Sequence, residues 1–253
     1  MKYVFTTDTD VGTRKDVNQD SILVKHAKTG SYEVLLAIVC DGVGGLSKGE
    51  LASATVIRAF SEWFEKELPH ELNSLDMQVI GGKWELLIRD LNNQMLAYGQ
   101  KFGVGLGTTF SGILFINNNY LIGHVGDTRV YYLGNSMYQL TEDHTVIANE
   151  IKNGTLSVEQ AKTDSRRNML LQCIGASSVV TPQIIVGMVE PGTYIVCSDG
   201  FRHEISEKEI FERLYAGNLT DKQMMHLQTR YLIELVKNRQ ERDNISVVLI
   251  KAT

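Results

Sequence analysis

The sequence predicts an α+β fold of antiparallel sheets covered by helices, and three observations carry that prediction. Ten short apolar segments rich in β-branched and aromatic residues read as strands. Four of these follow one another with only turns between them. Long stretches with apolar residues at helical spacing come in pairs between strand groups, not one after every strand.

In chain order, Tyr3 to Thr7, Ser21 to His26 and Val34 to Cys40 form the first strand group. A helix follows from about Glu50, its inward face made by Ala52, Val56, Ala59, Phe60 and Trp63. The next carries Ile80, Trp84, Leu87, Leu91, Met95, Tyr98 and Phe102 on one stripe, expected to be core. Thr108 to Phe115, Tyr120 to Val125, Arg129 to Leu133 and Met137 to Leu140 are the four consecutive strands, expected as a meander. Strands Ile184 to Val189 and Thr193 to Cys197 precede two late helices, Ser206 to Tyr215 and Thr220 to Asn238. Each late helix opens on an expected capping box, Ser206 with Glu209 and Thr220 with Gln223, and Ile245 to Ile250 is the last strand.

A chain of 253 residues, 43% hydrophobic and 22% charged with three prolines, can bury a large core and shows no linker, repeat or low-complexity tract. A net charge of -5 leaves no basic stripe for nucleic acid or an anionic membrane. No apolar run is long enough to span a bilayer, and "MKYVFTTDTD" has acids where a signal peptide has its apolar region, so a soluble cytoplasmic protein is expected. Cys40, Cys173 and Cys197 lie far apart and read as buried reduced thiols. A cysteine phosphatase needs an arginine six residues after its nucleophile; Leu46, Val179 and His203 stand there instead. The six histidines show no zinc spacing.

The stretch "LLAIVCDGVGGLSKGE" ends an apolar strand on Asp41 and a glycine-rich corner. Alone it could be an Asx turn. The pattern recurs: Asp20 and Asp243 precede strands, Asp127 lies in a turn between two, and Asp199-Gly200 repeats Asp41-Gly42. Five carboxylates at strand rims suggest acids gathered at one edge of a sheet sandwich, where they repel unless cations neutralise them. Oxygen ligands without Cys or His favour Mg2+ or Mn2+, and two such ions could activate a water and hold a transferring phosphoryl group. Arg14, six residues before Asp20, is either a phosphate-holding fork or a surface loop arginine.

The ordered series "VGTRKDVNQDS", "VCDGVGGLSKGELAS", "GTT", "GHVGDTRVYYL", "LTEDHT", "CIGA", "CSDGF" and "RDNISVV" closely resembles the motifs of metal-dependent type 2C serine/threonine protein phosphatases in their compact bacterial form. The resemblance covers almost the whole chain. It implies a four-layer α-β-β-α sandwich, with two antiparallel sheets between helix pairs, in a single catalytic domain over 1–253. It further implies metal ligation by Asp20, Asp41, the Gly42 carbonyl, Asp199 and Asp243, with Asp41 bridging two Mn2+ or Mg2+ ions. Asp127 would join Asp199 at a third, weaker ion, Arg14 would bind phosphate, and 145–172 would be a flap beside the site. The implied activity is hydrolysis of phosphoserine and phosphothreonine in protein substrates of a serine/threonine kinase, by direct attack of water, in a monomer. "TEDH" reads as a structural corner.

Val43 stands where many animal members carry a histidine, Leu46 where bacterial members carry one, and Phe201 where a leucine is usual. No ligand is lost. A phosphoprotein-binding pseudophosphatase is the alternative, and it should have lost one. A P-loop is excluded by Glu50, which stands where its lysine belongs, and a small-ester hydrolase fits the acids without the resemblance.

Overall fold

The computed structural model describes residues 1–161, 163–166 and 168–253. Among them are strands β1 (Tyr3–Asp10), β2 (Ser21–Lys28), β3 (Glu33–Cys40), β4 (Phe110–Ile116), β5 (Asn119–Val125), β6 (Arg129–Leu133), β7 (Met137–Gln139), β8 (Gln183–Met188), β9 (Gly192–Cys197) and β10 (Ile245–Ala252). The helices are α1 (Gly49–Lys66), α2 (Leu68–Glu71), α3 (Met77–Phe102), α4 (Val146–Lys152), α5 (Val158–Ala161), α6 (Glu207–Leu214) and α7 (Lys222–Asn238). Every segment read as a strand from the sequence forms one.

Two antiparallel sheets result, ordered β1-β10-β9-β6-β7 and β2-β3-β4-β5-β8. Alternation along β3 shows how they stack. Leu35, Ala37 and Val39 face Ile113, Val130, Val196 and Val248 in the layer between the sheets. Val34, Leu36, Ile38 and Cys40 face the opposite way, against α1 and α3. The outer face of the other sheet is covered by α6 and α7 through Ile210, Leu214, Leu232, Ile233 and Val236. The four-layer α-β-β-α sandwich is therefore the observed fold.

Trp84 is fully buried under α1, its ring edge-on to Phe60 at 5.1 Å and to Trp63 at 5.6 Å. The stripe expected around it runs out after Met95. Tyr98 and Phe102 are exposed at 44% and 56%, because the 26-residue α3 extends beyond the sheet it covers. Cap chemistry also differs at one helix. Ser206 and Glu209 form the expected capping box, whereas α7 is capped by Asp221, whose carboxylate accepts from the Met224 amide at 2.8 Å. The carboxylate one position beyond Thr220 aligns with the orphan amides instead.

The expected meander is split between the sheets. β4 pairs β5 and β6 pairs β7, but the chain crosses from one sheet to the other at Gly126, where φ is +104. That left-handed conformation, with the Thr109 side chain 2.7 Å from where a β-carbon would stand, requires glycine. The crossing carries Asp127 to the rim shared by the two sheets. All three cysteines are free and buried, and no helix among the described residues is long and apolar enough to cross a membrane.

Candidate metal centre

The centre is built at one end of the sandwich, where β3 and β9 finish and β2, β6 and β10 begin. Asp41 leaves β3 with its backbone held on both sides. Its amide donates to Thr109 Oγ1 at 2.9 Å, and its carbonyl accepts from the Thr109 amide at 2.8 Å and Thr108 Oγ1 at 2.9 Å. The "GTT" segment therefore spends its donors on the main chain and leaves the Asp41 carboxylate free. Gly42 is wedged between Gln19 and Gly49; a β-carbon there would lie 2.8 Å from the Gln19 carbonyl oxygen. Among the described residues, no hydrogen bond reaches the Gly42 carbonyl.

Asp20 is buried just before β2, and neither carboxylate oxygen makes a hydrogen bond. The nearby Ser246 and Ser198 hydroxyls are engaged elsewhere: Ser246 Oγ with Thr9 Oγ1 at 2.8 Å, and Ser198 Oγ accepting from the Ser246 amide at 2.9 Å. Asp199, buried two residues beyond the end of β9, has an unpaired Oδ1 and lies with Oδ2 3.7 Å from His203 Nε2. Asp127 is buried at the crossing, its carbonyl held by Arg202 at 3.0 Å. Arg202 in turn stands 3.7 Å from Asp143, whose carboxylate binds Arg129 in a fork at 2.6 and 2.7 Å. Asp243 is partly exposed and pairs with Lys15 Nζ at 2.9 Å.

The electrostatics report the convergence. Burial, then the charges of Asp20, Asp199, Asp127 and Asp243, raise the Asp41 carboxyl well above its ordinary range. Burial pushes Asp20 up to about 7, with Asp199 and Asp243 adding to the rise against the opposing Ser246 and Ser198 hydroxyls. Burial and Asp199 likewise push Asp127 to about 7. Lys15 moves the other way. Burial opposes its charge, but the hydrogen bond to Asp243 and the fields of Asp243, Asp41 and Asp199 prevail and raise it.

These shifts fix a sign for metal-free stability. With folded values near 7 and an ordinary value of 3.8, Asp20 and Asp127 bind more protons folded than unfolded between those limits. Their contribution is complete below the lower limit and is lost as pH rises through about 7. The melting temperature of chelator-treated protein is therefore expected to fall by about 5 °C or more between pH 5 and pH 8. A rise across that window would mean that the carboxylates are not held in a buried, mutually repelling group.

The structure thus gathers all five predicted aspartates. Among the described residues, no three His, Cys, Asp or Glu side chains form a ready-made ligand group for a single ion. Mg2+ keeps several waters and is held through only one or two carboxylates, so it does not require three. Unpaired, buried, all-oxygen donors at Asp20 and Asp199 beside the Gly42 carbonyl fit hard divalent cations.

Arg14 is exposed on the turn before Lys15, and none of the ion pairs among the described residues joins it to the aspartates. The turn directs the next residue inward, so Lys15 carries the cation that meets the cluster. Asn244 was also missed: its side chain accepts from the Gln19 amide at 2.9 Å and donates to the carbonyls of Val11 and Val17, tying the loop before Asp20 to β10. The Asp-Asn pair in "RDNISVV" was its signal. "TEDH" is a structural corner. The Gly126 amide donates to His144 Nδ1 at 3.2 Å, and buried His124 contacts Ser111 and the Glu142 carbonyl. Burial lowers the His124 imidazole to about 3 and keeps it neutral.

The pattern of the protein phosphatase 2C family matches residues 12–232. A protein phosphatase 2C-type relative from Streptococcus pyogenes is 31% identical over 246 residues, 96% of this chain and 94% of its own length. The solved serine/threonine phosphatase of S. agalactiae superposes with a TM-score of 0.85 at 28% identity, covering 100% of both chains. The catalytic domain of the serine threonine protein phosphatase PstP, solved with two manganese ions, superposes at 0.78 with 26% identity, over 98% of this chain and 97% of that one. Fold and relationship together define a serine/threonine protein phosphatase. The chain belongs to the protein phosphatase 2C family.

Proposed function

We propose that this protein removes phosphate from phosphoserine and phosphothreonine side chains by a single displacement with water, at a centre of two Mn2+ or Mg2+ ions. Asp20, Asp41, the Gly42 carbonyl, Asp199 and Asp243 would hold the ions, with Asp41 between them, and Asp127 with Asp199 would hold a third, weaker one. When bound, the ions supply a water of lowered pKa and neutralise phosphoryl oxygens. The observation that carries the reading is the convergence of five aspartates from both sheets, with buried oxygens that no protein donor satisfies. A binding-only pseudophosphatase is not favoured, since Asp20, Asp41, Asp199 and Asp243 are all retained.

The chain's own residues orient the substrate. Lys15 sits at the edge of the carboxylate group with its ammonium on Asp243, placed to meet a phosphate approaching the ions. Thr108 and Thr109 fix the Asp41 main chain, and Asn244 fixes the loop that bears Lys15 and Asp20. The segment 145–172 would act as the flap. Its base is joined by the Val146 amide to the Met169 carbonyl at 2.9 Å and the Leu171 amide to the His144 carbonyl at 2.8 Å. Lys162 and Arg167 within it lie outside the described residues. We place this activity in a single catalytic domain, monomeric and cytoplasmic, acting on phosphoproteins of a serine/threonine kinase; the core layers packed on and between the two sheets support the single domain.

Hydrolysis of a chromogenic aryl phosphate with and without Mn2+, followed by a phosphopeptide panel, tests the function. Failure on every phosphoserine and phosphothreonine peptide with metal present would overturn it. Lys15→Ala is expected to raise KM about tenfold with a smaller fall in kcat, whereas Arg14→Ala keeps KM within about twofold. Steady-state kinetics on the two variants decide between neighbours, and the reverse ranking would return the phosphate contact to Arg14.

A further inference from the structure

Two cavities flank the carboxylate centre, and they differ in chemistry. One, of about 450 Å3, is bounded by Asp243, Glu241, Arg239 and Arg242 and is strongly charged. The other, of about 610 Å3, runs between the glycine corner and the chain returning from the flap. Among the described residues lining this second groove, none carries a charge. Asn168 borders both, so the two meet at the catalytic end of the sandwich.

The inner end of the neutral groove is closed by three apolar side chains converging on Gly107. A β-carbon there would lie 2.5 Å from Leu46 Cδ1, 3.4 Å from Val43 Cγ2 and 3.5 Å from the Ala176 β-carbon. Leu46 can lie flat in this position only because residue 107 has no side chain. The outer rim carries Leu171 and Val179, exposed at 53% and 71%. Exposed apolar side chains gathered around a concave surface mark a binding site. Val43 stands two residues beyond Asp41, its amide tied to the Gly107 carbonyl at 2.9 Å. The groove is therefore continuous with the centre itself, within reach of the residue next to a bound phosphoserine or phosphothreonine at about 3.3 to 3.6 Å per extended residue.

We infer that this groove is a substrate subsite for an aliphatic side chain adjacent to the phosphorylated residue, so that the enzyme selects phosphopeptides with an apolar flank. The inference rests on the phosphatase reading above. An aliphatic side chain exchanges water for Val43, Leu46 and Ala176 and seats under Leu171 and Val179. A carboxylate in the same place would lose hydration without meeting a cation among the described lining residues.

The test uses phosphothreonine peptides that are identical except for leucine or glutamate at each flanking position in turn, with aryl phosphate measured on the same preparations. At one flanking position the wild-type kcat/KM is expected to favour leucine by about tenfold or more. Val179→Lys, a change on an exposed rim, is expected to shrink that preference to about twofold or less and to raise turnover of the glutamate peptide. A purely structural role for Val179 would leave the ratio unmoved. Equal kcat/KM for leucine and glutamate at every position, or an unchanged ratio in Val179→Lys, overturns the subsite while the phosphatase function stands. Absence of hydrolysis on all substrates overturns the phosphatase reading and the subsite with it.

Discussion

Asp41→Asn is expected to lower kcat at least about a hundredfold while raising the melting temperature of the metal-free protein. Asparagine keeps the shape of the side chain, and this corner is positioned by the Asp41 amide donating to the Thr109 hydroxyl and the Thr108 hydroxyl donating to the Asp41 carbonyl, which the substitution does not touch. What disappears is a carboxyl that burial and the charges of Asp20, Asp199, Asp127 and Asp243 make costly to ionise. Losing that cost stabilises the empty fold, and losing the carboxylate removes one of the proposed metal ligands. Asp199→Asn is expected to behave similarly, because its buried Oδ1 has no protein donor to lose. Aryl phosphate kinetics and thermal melts in chelator check both halves. Near-normal turnover would move the site elsewhere, and a collapse of folding together with activity would make Asp41 a turn residue.

Chelation is expected to abolish hydrolysis altogether, with Mn2+ restoring it and Mg2+ serving as the comparison. Among the described residues, the cations that meet the cluster are committed: Lys15 to Asp243, and Arg202 to the Asp127 carbonyl and Asp143. They cannot also neutralise Asp20, Asp41 and Asp199. Metal bound to the folded state alone should also raise the melting temperature, by an amount that grows with the logarithm of its concentration. Full activity in metal-free, chelator-treated protein would sink the proposed chemistry.

The layers were legible because nearly every strand is buried on at least one face, and β3 on both, so apolar runs and turn residues mark them plainly. Sheet membership was not. A strand pair reads the same whether its successor joins it or crosses over, and only the backbone at Gly126 decides that β6 leaves β5. Tyr98 and Phe102 continue a helical stripe that periodicity cannot distinguish from core, because where the sheet beneath ends is a three-dimensional fact. The aspartates were legible through recurrence at strand ends. Lys15 was not, since choosing between adjacent cations requires knowing which way a turn points them. Asn244 was hidden by its neighbour: beside Asp243 it reads as part of a ligand motif, yet its work is to tie two loops.

Because Asp20 and Asp41 hang from one sheet while Asp199 and Asp243 hang from the other, the apolar filling between the sheets behaves as a gauge block. Val39, Ile113, Val130, Val196 and Val248 set how far apart the two sheets stand. Interiors packed this tightly pass on a volume change instead of absorbing it. A methyl group gained or lost in that layer alters the spacing of oxygens that no covalent bond holds in register. Residues far from any phosphate thus calibrate the instrument that reads it.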